Sequence, residues 1–294
     1  MFQIDYHGDD YAASPNNSKR MLALADTGKL QSMSILPNMS YYGECMDYLN
    51  KNWSSLKNKP LISIHLNLID GFSLSGCHNP LLSNEEGILC ASWETLFFHS
   101  FMPGQKKLLN DIKEELKAQI LRVTKDLPDG VALRIDSHLH THMIPIVFDA
   151  MIMAVKELGL LKKLEYVRIS DEPLLPFLTT KKVSFTIPPI NIVKNRLLHF
   201  LSYRAYGILK TLGIGTGMLW GLCMSGRMDK ERIDLCSEKI IKIAKNKDLY
   251  LEVLCHPGIV LKEESVKEYG SADMIPFFSK DRDVEFDSVI NRSI

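Results

Sequence analysis

The stretch RIDSHLHTHMIP (Arg134–Pro145) places three histidines on alternate positions behind an aspartate. The chain has nine histidines in 294 residues, so three within five positions calls for a cause. A β-strand repeats with period 2, so a strand reading turns Asp136, His138, His140 and His142 to one side. Buried strands normally fill that side with Val, Ile or Leu. Imidazoles there need partners, and one metal ion satisfies several of them at once.

Working outward, VALRIDSHLHTH reads as a strand and IPIVFDAMIMAVKELGL as the helix that follows it. The same alternation runs along the chain. FQIDYH is a strand followed by the helix SPNNSKRMLALADTGKL, with Ser14 as N-cap, Pro15 at the first helical position and Gly28 at the far end. SMSILPN, LISIHLNL, EYVRIS and YLEVLCHPG read as further strands. LLNDIKEELKAQILRVTKDL and ERIDLCSEKIIKIAKN read as amphipathic helices. Repeated βα units imply a parallel sheet with helices outside it, as a (β/α) barrel or a doubly wound sheet. Residues 1–294 read as one domain, with a helical insertion at about 188–225. The run from Gly71 to about Gly104 has little periodicity, and loops that long are often functional.

Bulk composition narrows the function classes. Lys plus Arg and Asp plus Glu both total 35, which gives no sign of nucleic-acid capture or of binding to an anionic membrane. Six scattered cysteines without a CxxC pair suit reduced thiols and a cytoplasmic protein. The N-terminus shows no signal peptide. GILKTLGIGTGMLWGLCMSG (Gly207–Gly226) is about as long as a membrane span, but its lysine and glycines favour a buried element of the fold.

The unusual polar residues fall at the C-terminal ends of the expected strands: His7, Asp9 and Asp10 on the first, His65 on the third, and His138–His142 on the fourth. Arg168 ends the fifth and His256 the last. Binding sites of α/β sheets and barrels form at that edge. Each residue has a structural explanation by itself, as a turn cap, a core histidine or a surface ion pair. Their shared location favours a site. Residues two apart on a strand lie about 6.5–7 Å from each other, so His138 and His142 cannot both reach one ion. Asp10, His65 and His138, from three strands, are the expected ligands. An Asp/His/His set with open positions suits a metal that activates water.

HGDDYAAS, IHLNL, DSHLHTH and LEVLCHPG, in this order, resemble the YdjC-like family, which includes chitooligosaccharide deacetylases. Glu115, Leu116 and Gln119 echo its E-L-x-x-Q helix motif, and the resemblance runs from about residue 2 to 260. It implies a distorted (β/α) barrel related to polysaccharide deacetylases and one divalent ion, magnesium in many members, with zinc the other candidate. It matches Asp10, His65 and His138 to the metal ligands, Asp9 to the base, and His256 to the histidine of the family's CHP motif. The first motif departs from the family pattern, reading DDYA for DDFG, with Ala12 in the glycine position.

The expected activity is hydrolysis of an N-acetyl group on an amino sugar or oligosaccharide, with Asp9 as base and His256 as acid. Asp136, His140, His142 and Arg168 would contact the sugar or support the ligands. Alternatives are a metallohydrolase of another ester or amide, such as a phosphoester or a glycolipid headgroup, and a non-enzymatic carbohydrate-binding homologue. The expected partner is an acetylated sugar, with no nucleic acid and no membrane span; a homodimer is the protein assembly considered.

Overall fold

The computed structural model describes residues 2–265 and 280–292. Strand β1 (Gln3–Tyr11) leads into helix α1 (Pro15–Asp26), whose N-cap Ser14 accepts a hydrogen bond from the Asn17 amide. The alternation continues through β2 (Ser32–Ile35), α2 (Tyr42–Trp53) and β3 (Leu61–Leu66). Helices α3 (Trp93–His99) and α4 (Lys106–Asp126) precede β4 (Leu133–Ser137), α5 (Pro145–Glu157) and β5 (Leu164–Val167). Two single turns, α6 (Leu175–Leu178) and α7 (Lys181–Ser184), lead to the long α8 (Pro189–Leu212). Then come β6 (Met218–Trp220), α9 (Lys230–Asn246), β7 (Tyr250–Cys255) and α10 (Asp281–Ile290).

All seven strands pair in parallel, in the order β5-β4-β3-β2-β1-β7-β6. The sheet curls until its edges approach. Gly215, just before β6, donates to the Glu165 carbonyl (2.9 Å) and accepts from the Val167 amide (3.0 Å) of β5. A side chain there would put Cβ 2.8 Å from the Glu165 oxygen, so glycine permits this approach. The result is the distorted (β/α) barrel the sequence led us to expect.

The helical insertion is corrected in extent. Helix ends at Leu212, and the remainder of the 188–225 segment carries Gly215 and β6, which belong to the sheet. Among the described residues no helix is long and apolar enough to cross a membrane.

Period 2 sorts the strand side chains by chemistry. Tyr6, Met33, Ile35, Ile62, Ile64 and Ile135 join the apolar core. The intervening positions, Asp5, His7, Asp9, Ser32, Ser34, His65, Arg134, Asp136 and Glu252, are buried and bonded to one another inside the barrel. Buried charge is tolerable only when paired, and this interior is a mutually paired network.

Candidate metal centre

Three strands supply the mouth of the barrel. Asp10 sits at the end of β1 with φ 72°, and Ala12 follows with φ 73°. This left-handed backbone favours glycine, so Ala12 adopts it at a steric cost. His65 lies one residue before the end of β3, and His138 directly after β4. One donor atom from each of Asp10, His65 and His138 lies within 4.8 Å of the other two. His65 Nε2 is 3.4 Å and His138 Nδ1 3.1 Å from Asp10 Oδ1. The other Asp10 oxygen accepts from Arg282 Nη2 at 2.7 Å, which leaves Oδ1 turned to the histidines.

The strand reading of residues 138–142 is overturned. β4 stops at Ser137, and Leu139 and His140 take left-handed conformations, φ 50° and 56°. The chain coils into a tight turn that separates the alternate histidines. His142 is fully buried; Ser137 Oγ meets its Nδ1 at 2.5 Å, and the Arg168 carbonyl accepts from its Nε2 at 2.8 Å. Burial lowers its pKa to about 4, so it is neutral, and it ties β4 to the end of β5. His140 Nδ1 faces Ser170 Oγ at 3.1 Å, and burial with the Arg168 charge holds its pKa well below the ordinary imidazole range.

Asp136 and Arg168 lie behind His65 and Asp9. Asp136 Oδ1 accepts from His65 Nδ1 at 2.7 Å, which fixes the ring and turns Nε2 toward Asp10. Arg168 has no exposed surface. It donates to both oxygens of Asp9 at 2.8 Å, to Glu252 Oε1 at 2.5 Å, and lies 3.1 Å from Asp136 Oδ2. Burial opposes ionisation of Asp9, but Arg168 and His65 outweigh it and hold Asp9 well below the usual carboxylate range. His7, midway along β1, bridges Asp9 (3.2 Å) and Asp136 (3.3 Å) through Nε2.

His256 follows β7 and keeps part of its ring exposed. Its amide donates to Glu285 Oε2 at 2.6 Å, and its Nδ1 is 3.3 Å from the same oxygen. Burial opposes its charge, but Glu285 prevails and raises its pKa. Neither Glu285 nor Arg282 was legible as a site residue, because α10 contributes them from beyond the last motif. Asp70 was missed too; its Oδ2 lies 3.4 Å from His138 Nε2. It opens the long loop after β3, whose Ser73 and Ser75 are held by buried Glu115 at 2.8 Å. Gln119, one turn on, accepts from the Asn67 amide at 2.9 Å. The E-L-x-x-Q helix motif thus anchors this loop.

These residues fit a divalent cation. His65 Nδ1 donates to Asp136, so Nε2 presents a lone pair to the Asp10 carboxylate. Two acceptors face each other only if a positive charge lies between them. Without metal, that charge is a proton. Burial opposes it, but Asp9 and Asp136 push His65 up to about 10; burial likewise opposes His7, and Glu252 with its neighbours pushes it to about 9. A raised imidazole stabilises the fold fully below its ordinary value of 6.5, and that contribution disappears as pH rises through 9 to 10. The depressed Asp9 works in the opposite sense, contributing above the ordinary 3.8 and losing its contribution only well below it. EDTA-treated protein should therefore lose stability steadily from pH 6.5 to 10. A urea midpoint that rises over this interval would contradict the network.

The match to the family model extends over residues 6–294 and is described as YdjC-like protein. The chain belongs to the YdjC-like family. Among solved structures it is similar to a protein from Enterococcus faecalis described as a proposed cellobiose-phosphate cleavage protein. The TM-score is 0.55 at 16% identity, covering 96% of this chain and 89% of that one. A trimodular GH5_4 subfamily endoglucanase aligns with TM-score 0.46 at 12% identity, over 96% of this chain and 60% of that one. Among curated proteins nothing matches. The YdjC-like assignment and the barrel agree with the motifs in DDYA, DSHLHTH and CHP.

Proposed function

We propose that this YdjC-like protein is a metal-dependent hydrolase that removes an N-acetyl group from an amino sugar or oligosaccharide. The observation that carries the reading is the convergence of Asp10, His65 and His138 at the barrel mouth, beside Asp9 and His256. A divalent ion held by these three residues would polarise the amide carbonyl and acidify water. Two imidazoles and one carboxylate suit zinc by donor chemistry, whereas the family resemblance points to magnesium.

Asp9 stays ionised at neutral pH because Arg168 holds both its oxygens, so it is always ready to accept a proton. The same pairing makes it a weak base, suited to water already acidified by a cation. Glu285 favours the protonated form of His256, as an acid for the departing amine requires. His65 is kept in one orientation by Asp136. A phosphoester would call for cations at the site, and the Arg168 guanidinium is taken up by three carboxylates.

Acetate release from N-acetylglucosamine oligomers, measured with and without EDTA, tests the reading. Release that EDTA abolishes and metal restores is the expected result; EDTA-resistant release, or none from metal-loaded protein, would refute it. His65→Ala and His138→Ala should each lose the ion, since they remove a direct ligand, where changes behind the ligands cost about 10–100-fold in affinity. Elemental analysis showing equal metal in both variants and wild type would sink the ligand assignment.

A further inference from the structure

The balanced net charge conceals a local asymmetry. Residues 173–228 contain seven Lys or Arg and no Asp or Glu. Most of this stretch forms α6, α7 and α8, and it is also where large apolar side chains stand in solvent. Phe185, between α7 and α8, is 91% exposed. The buried face of α8 carries Leu198, Leu201, Ala205 and Leu209. Its opposite face should be polar in an ordinary surface helix. Instead Val193, Phe200 and Tyr203 project there at 61–71% exposure, flanked by exposed Lys194, Arg196, Arg204 and Lys210. Helices α4 and α9 do what α8 does not, turning mainly Lys and Glu outward.

This face adjoins the mouth of the barrel. α8 packs against the 138–143 turn, where Leu139 is 55% exposed between His138 and His140. Helix α3 carries exposed Phe98, and Glu94 at its start feels the charge of Lys194 on α8. Arg204 is paired with Asp149 and Lys182 with Glu231 of neighbouring helices. Exposed Lys181, Lys194 and Lys210 remain beside the exposed aromatics, the combination by which a helix lies in the interface of an anionic bilayer. A protein partner or a second copy of this chain would have to match the cations with its own acids.

We propose that the 173–228 face, centred on the outer side of α8, docks this protein on anionic lipid surfaces with the barrel mouth beside the bilayer. The occupant is the membrane surface itself, bound peripherally and not spanned. This does not depend on the reaction catalysed.

The test is co-sedimentation of the full-length protein with phosphatidylcholine vesicles, with and without 30% phosphatidylglycerol. Binding to the anionic vesicles and little to the neutral ones is expected. Each of Lys181→Gln, Lys194→Gln and Lys210→Gln should weaken partitioning about fivefold, the effect of one basic residue near such a surface. Val193→Ser/Phe200→Ser should weaken it at least tenfold at unchanged melting temperature, because both side chains already stand in solvent. No sedimentation with anionic vesicles would overturn the proposal. So would equal binding by the double variant, or a dimer in sedimentation velocity that Val193→Ser/Phe200→Ser dissociates, which would assign the face to a second copy.

Discussion

Asp9→Asn should lower turnover by roughly 10²–10⁴-fold, the usual contribution of a general base, while metal content stays at the wild-type level. The separation of the two effects follows from the geometry. Asp10, His65 and His138 face one another, whereas Asp9 faces Arg168, Ser34 and His7. An amide cannot accept through its nitrogen, so the substituted side chain would keep only part of the Arg168 pairing. A circular dichroism spectrum is therefore needed beside the rate. Turnover within a few-fold of wild type, in metal-loaded and folded Asp9→Asn, would remove Asp9 from the base role. Loss of metal in that variant would instead make it a ligand.

Arg168→Met should destabilise the protein by about 3–5 kcal/mol, the cost of removing one partner from buried ion pairs. Methionine fills most of the space, so the loss is chiefly electrostatic. Asp9, Asp136 and Glu252 would share one interior without the cation that neutralises them. Burial then raises the pKa values of Asp9 and Asp136, and their protonation relieves the repulsion. The deficit should accordingly be largest near neutral pH and shrink toward pH 4, as read by urea unfolding at both values. A variant as stable as wild type at pH 7, or equally destabilised at both, would show that the three carboxylates do not depend on this arginine.

Much of the architecture was legible because it rests on local pattern. Strand runs, helical spacing, the Ser14–Pro15 helix start and the polar residues at strand ends are properties of neighbouring residues, and a parallel βα sheet follows from their order. The period-2 rule also explains why Asp5, His7 and Asp9 enter the barrel together. It failed at His138–His142, where composition resembled a strand but the backbone turns left-handed at Leu139 and His140. Steric preference argues against that turn locally; the buried bonds of His142 to Ser137 and Arg168 compensate for it, and they exist only once β4 and β5 lie side by side.

The sequence by itself determined which residues could hold a cation and at which edge they would gather. Only the tertiary structure decided which of them face one another. Arg168 and Asp136 were expected either at the sugar or supporting the ligands, and the curled sheet closes over them and leaves them behind Asp9 and His65. Arg282 and Glu285 reach Asp10 and His256 from α10, 24 and 27 residues past Gly258 at the end of the last motif, where no local pattern connects them to the site. Charge pairs in a barrel interior are set by which strands and helices become neighbours. That depends on closure of the whole sheet, and no window of the sequence contains it.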